Sequence, residues 1–126
     1  MPLTFQVDTK EGLLRSHGTG VLTTADLYGY FTGTRADPDY DPSMHRVMDL
    51  RGVTQLPSSE DIRSLATFAR SKAPVMTARM AIIASSDLAF GVSMMFKAFV
   101  GYGERLIVVR DEVEAMEWLS DGKAPE

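Results

Sequence analysis

At 126 residues, with 44% hydrophobic and 24% charged side chains, the chain is long enough to bury a core of its own and lies far from the highly charged, disordered class. Its formal net charge of −4, with 13 basic residues scattered along the chain, argues against a nucleic-acid surface, which needs grouped Lys and Arg to neutralise phosphates. The absence of cysteine removes disulfides, thiolate nucleophiles and Cys-ligated metals together.

The opening Met1 to Val7 has neither a basic leader nor an apolar stretch, and charge interrupts every apolar run well before the roughly twenty residues a membrane span requires. The expectation is a cytoplasmic protein without membrane insertion, with residues 1–126 forming a single domain.

Thr4 to Val7 and Leu13 to His17 read as two short strands, and Lys10-Glu11-Gly12 between them suggests a hairpin turn near the glycine. Thr23-x-x-Asp26 is a helix-capping pattern. It predicts a helix to about Thr34 with Leu27 and Phe31 inward. Asp37-Pro38-Asp39-Tyr40-Asp41-Pro42 is a loop, and Val47 to Leu50 a buried strand ending at Arg51-Gly52.

Ser58-x-x-Asp61 caps a second helix, in which Ile62, Leu65, Ala66 and Ala69 fall at i, i+3, i+4 and i+7, and Pro74 stops it. The apolar run Met80 to Ala84 predicts a strand inside a sheet. Asp87 is placed to cap a third helix with Phe90, Met94 and Ala98 on one face, stopping near Gly101-Tyr102-Gly103. Leu106 to Val109 is the last strand. Asp111-x-x-Glu114 opens a last helix with Ala115, Met116 and Leu119 inward and Gly122 at its end.

The order β-β-α-β-α-β-α-β-α predicts an α/β fold: a mixed, mainly parallel sheet of about five strands with the first antiparallel at an edge. Asp49-Leu50-Arg51-Gly52-Val53-Thr54-Gln55-Leu56-Pro57-Ser58-Ser59 resembles the central signature of STAS domains, the fold of anti-sigma-factor antagonists. Gly20-Val21-Leu22-Thr23, Ala81-Ile82-Ile83, Phe90-Gly91 and the stretch Arg110-Asp111 through Ala115-Met116-Glu117-Trp118-Leu119 resemble the SpoIIAA-like (STAS/SEC14) branch of small bacterial proteins. The resemblance implies helices chiefly on one face of the sheet and a non-catalytic regulatory or protein-binding role. It also aligns Ser58 with the phosphoacceptor serine of signalling STAS domains, with Pro57 in place of the usual Asp and Glu60 in place of the usual Gly. Read from the residues alone, Ser58 is a helix N-cap.

The partner surface expected from this resemblance runs from Gly52 to Ser59 and onto the following helix, with Ser58, Ser59 and Arg63 as its residues. A more distant resemblance to CRAL-TRIO lipid carriers implies an alternative, a carrier of a small apolar ligand held by Phe90, Met94, Met95, Phe99 and Tyr102. No catalytic constellation, metal site or cofactor is expected. Asp37, Asp39 and Asp41 imitate the start of a calcium loop, but Pro42 and Met48 stand where the turn Gly and closing Glu are needed. Gly91-Val92-Ser93-Met94 lacks the second glycine of a nucleophile elbow, leaving Ser93 as a packing residue. His17 and His45 would meet only if their strands are neighbours. Arg70, Lys72 and Arg79 form the densest basic patch. Finally, if the crossover helices share one face, the apolar strands leave the opposite face in need of cover, which predicts a homodimer or higher homo-oligomer that uses the helix-free sheet face or the Met-rich helix.

Overall fold

A computed structural model describes residues 2–72 and 78–120, Lys72 by its backbone alone; Pro74 and Gly122, expected to end helices, lie outside the described residues. In chain order the elements are β1 (Leu3–Asp8), β2 (Leu13–Val21), α1 (Thr24–Ala36), β3 (His45–Gln55), α2 (Ser59–Lys72), β4 (Met80–Ile83), α3 (Asp87–Val100), a 3-10 turn at Gly103–Arg105, β5 (Leu106–Val109) and α4 (Glu112–Ser120).

The hairpin forms because the Asp8 carboxylate accepts hydrogen bonds from the Lys10 and Glu11 amides, both at 3.1 Å, and Gly12 turns the chain at φ +63°. The five strands lie in the order β1-β2-β3-β4-β5. β1 runs antiparallel to β2 at the edge, and every later pairing is parallel, as the element order predicts.

A sheet wound steadily in one direction puts its crossover helices on one face. On that face Leu27, Phe31, Leu65, Ala69 and Phe96 from α1, α2 and α3 pack on Leu14, Met48, Ile82 and Leu106. The alternate residues of the strands point the other way, where Val47, Ala81, Ile83 and Val109 meet Ala115 and Leu119 of α4. Among the described residues three helices cover one face and a single short helix covers part of the other. The apolar strip from which self-association was argued therefore lies under α4. Arg79 fixes that helix in place: its Nη1 donates to the Trp118 carbonyl at 2.6 Å, and its guanidinium lies 5.2 Å from the Trp118 ring centroid.

Two boundaries differ from expectation. β3 does not stop at Arg51-Gly52 but continues to Gln55, because β2 shifts register between His17 and Thr19 and lets Gly52 pair with Thr19. A Cβ on Gly52 would lie 3.1 Å from Thr19 Cγ2, and one on Gly18 3.0 Å from Val53 Cγ2, so lack of a side chain allows this approach. The third helix is capped by Ser86, whose Oγ accepts from the Ala89 amide at 3.1 Å. Asp87 instead pairs with Arg110 at 3.0 Å.

Candidate functional site

Each of the four α-helices among the described residues begins just beyond the carboxyl end of a parallel strand, the edge of an α/β sheet where binding sites gather. Each start is closed by a side chain. Thr23 and Asp26 form a reciprocal capping box, and the Glu114 amide donates to Asp111 Oδ1 at 2.8 Å. Ser58 Oγ accepts from the Asp61 amide at 3.2 Å, while its carbonyl accepts from the Ile62 amide at 2.9 Å. Ser58 is thus an N-cap, and both it and Ser59 are exposed. One turn on, the Arg63 guanidinium lies 4.6 Å from the Phe99 ring centroid, tying α2 to α3.

The same edge carries apolar residues that no core covers. Among the described residues the exposed large hydrophobics are Val21 (50%), Leu88 (56%), Met94 (42%) and Val113 (67%). Val21 ends β2, while Leu88 and Val113 are second residues of α3 and α4. Sequence reasoning missed these three. For Leu88 and Val113 the available signal was an apolar side chain directly after the Ser86-Asp87 and Asp111-Glu112 pairs that open their helices; Val21, at a strand end, offered none.

Behind this edge an apolar crevice of about 40 Å³ separates the helices from the sheet. Its lining includes Phe31, Met48, Ile62, Ser93 and Phe96, with half-buried Leu56 and Val92 at the rim. The residues expected to hold an apolar ligand do not line it. Phe90 lies under Arg110 at 4.2 Å, Phe99 under Arg63, and Met94 is exposed. Tyr102 is half-buried, and burial raises its hydroxyl pKa above the ordinary value against the lowering charge of Arg46. Met95 is half-buried outside the crevice lining. The inward face of α3 is Ala89, Ser93, Phe96 and Val100, not Phe90, Met94 and Ala98. The helix is apolar nearly all round, so periodicity alone does not select the buried stripe.

The other sequence-derived candidates separate in space. His17 and His45 lie on neighbouring strands, but the register pairs His17 with Asp49 and His45 with Leu13. His45 Nδ1 accepts from the Arg79 amide at 3.0 Å, and burial, then the Arg79 charge, holds its pKa below the ordinary value. Arg79 is buried beneath α4, whereas Arg70 is exposed on α2 and reaches the Phe99 carbonyl at 3.4 Å, so the two form no common patch. The Lys72 side chain lies outside the described residues. The acidic loop uses its carboxylates on itself: Asp37 accepts from the Asp39 amide at 2.9 Å, and Asp41 from the Ser43 amide and hydroxyl at 2.8 Å.

Comparison with known proteins finds a counterpart for the fold alone. No family model and no curated protein sequence matches the chain. A DUF3478-family protein from Shewanella loihica PV-4, described as having a SpoIIAA-like fold, superposes with a TM-score of 0.61 over 93% of each chain at 16% identity. No helix among the described residues is long and apolar enough to cross a membrane. The sheet order, the helix placement and this superposition together give the chain a STAS/SpoIIAA-like fold.

Proposed function

We propose that this STAS-like module works by binding a protein partner at the carboxyl edge of its sheet and catalyses no reaction. The observation that carries the reading is the exposure of Val21, Leu88 and Val113 at the same edge of the sheet as the Ser58-Ser59 turn, large apolar side chains that the core does not use. Apolar anchors ringed by hydroxyl and charged groups are the composition of a protein interface. Ser59 and Arg63 supply that polar rim. Ser58 is exposed at a helix N-terminus, where phosphate is electrostatically favourable, although Glu60 and Asp61 already place negative charge in the same turn.

Co-purification from native extract tests this. A partner retained by the unaltered chain and lost on Leu88→Lys or Ser59→Glu with Arg63→Glu supports the reading; retention by every variant removes it. The carrier reading has less support, since a crevice of about 40 Å³ is far below the roughly 150 Å³ of an engineered cavity that admits benzene. It would require α2 and α3 to part. A lipid-sized mass in the native mass spectrum of protein from its own host would revive it.

A further inference from the structure

On the face opposite α1, α2 and α3, the sheet is wider than its cover. A helix with side chains is about 10 Å across and strands are spaced about 4.8 Å, so one helix shelters roughly two strands. Among the described residues α4 packs on β4, β5 and the near side of β3, and the only β2 residue buried in its cluster is Leu13, so β1 and the rest of β2 have no cover there. The sequence matches that boundary. On this face β4 and β5 present Ala81, Ile83, Ile107 and Val109, whereas β1 and β2 present Thr4, Gln6, Arg15 and His17. The step from the α4 wall to the bare strands forms a groove of about 520 Å³, within the range of small-molecule sites.

The charges in and beside the groove are unevenly spent. Arg51 grips Asp49 with Nε at 2.9 Å and Nη2 at 2.8 Å, and the same Nη2 lies 3.5 Å from Glu112 on the α4 wall. The charge of Arg51 is therefore spent on Asp49, with Glu112 at longer reach. Those hydrogen bonds from Arg51 also hold the Asp49 carboxyl below its ordinary pKa. Asp49 lies 3.5 Å from His17 Nδ1, which leaves Nε2 as the ring's free nitrogen. Arg15, two residues back along β2 and exposed, makes no ion pair or side-chain hydrogen bond among the described residues. The floor and wall beside it are Val47, Ile83 and Met116.

We infer that this groove binds a small organic anion with a short apolar body, its anionic group on Arg15 beside His17 and its apolar part against Val47, Ile83 and Met116. A guanidinium suits carboxylate and phosphate alike through paired N–H donors. The apolar wall and the limited volume set the size of the rest. This site lies on the other side of the sheet from the helix-bearing core face and needs no partner protein.

Titration of the isotopically labelled chain with valerate, butyl phosphate and neutral valeramide, followed by amide NMR, tests the inference. Saturable shifts confined to residues 4–6, 15–17, 47–49 and 112–116 are expected for at least one of the anions and not for the amide. Arg15→Met keeps the aliphatic stem at an exposed position, and should weaken the anion by about tenfold or more through loss of a charged hydrogen bond. Met116→Glu should weaken it further while leaving the dispersed amide spectrum of a folded chain. Absence of saturable shifts with both anions, shifts centred on α2 and α3, or affinity unchanged in Arg15→Met would each overturn the site. Valerate without butyl phosphate, or the reverse, identifies the anionic group.

Discussion

Several single residues carry more of the structure than their chemistry suggests in isolation. His45 accepts a backbone hydrogen bond through Nδ1, and burial and Arg79 lower its folded-state pKa below that of the unfolded chain. The unfolded state therefore takes up the proton first. Stability from this residue is complete above about pH 6.5 and is lost as pH falls from there through the lower folded value. The urea midpoint should drop between pH 7 and pH 5, and His45→Gln should flatten that part of the profile; an unchanged slope would count against the assignment. Gly18 is constrained by space, not by backbone angle. Gly18→Ala should cost about 1–3 kcal/mol by overpacking against Val53, Leu22 and Leu50, read as a lower denaturation midpoint. Arg46 is buried against Tyr40, to which its Nη2 donates, with the guanidinium 5.1 Å from the Tyr40 ring centroid. Nearby, the Tyr30 hydroxyl is buried without a well-formed hydrogen bond among the described residues, and burial, outweighing the Arg46 charge, raises its pKa.

Helix ends separate structural from signalling roles among the elements. Ser58 caps α2, so Ser58→Ala should cost about 1 kcal/mol in chemical denaturation, whereas Ser58→Asp should leave stability nearly unchanged because aspartate caps equally well. The same Ser58→Asp chain separates the cap from the interface: a charge-sensitive partner would be gained or lost while the denaturation midpoint stays put. α3 ends at Gly101 in the left-handed conformation, φ +79°, which an L side chain adopts only with strain. Gly101→Ala should destabilise by about 1 kcal/mol, with Gly91→Ala, inside α3 with open space around it, as the control expected to be neutral or stabilising.

At the level of the whole molecule, α4 changes what self-association would need. Among the described residues the apolar positions of the second face are already covered, and the half of that face that α4 leaves open is polar. The proposal of a homodimer now rests on Val21, Leu88 and Val113, the surface proposed for a protein partner, with a second copy as that partner. Light scattering at micromolar concentration should then give a dimer mass that Leu88→Lys with Val113→Lys returns to the monomer. A monomer mass for the unaltered chain would remove the homodimer and leave the edge to a different protein.

Local chemistry made most of the elements legible. Thr23-x-x-Asp26, Ser58-x-x-Asp61 and Asp111-x-x-Glu114 act as caps where they stand, because capping depends on atoms three residues apart. The regular spacing of Ile62, Leu65, Ala66 and Ala69 identified the buried stripe of α2 for the same reason. Contacts between distant segments were not legible. The inward face of α3 is fixed by the sheet and α2 against it, since the helix offers apolar side chains in nearly every direction. β3 outruns its expected end because Gly18 and Gly52 fit together across two strands. Likewise, His17, Asp49 and Glu112 become neighbours only when parallel register and the seat of α4 bring three remote segments together. Periodicity and capping are properties of a few consecutive residues, whereas a groove is made by surfaces whose separation only the folded chain sets.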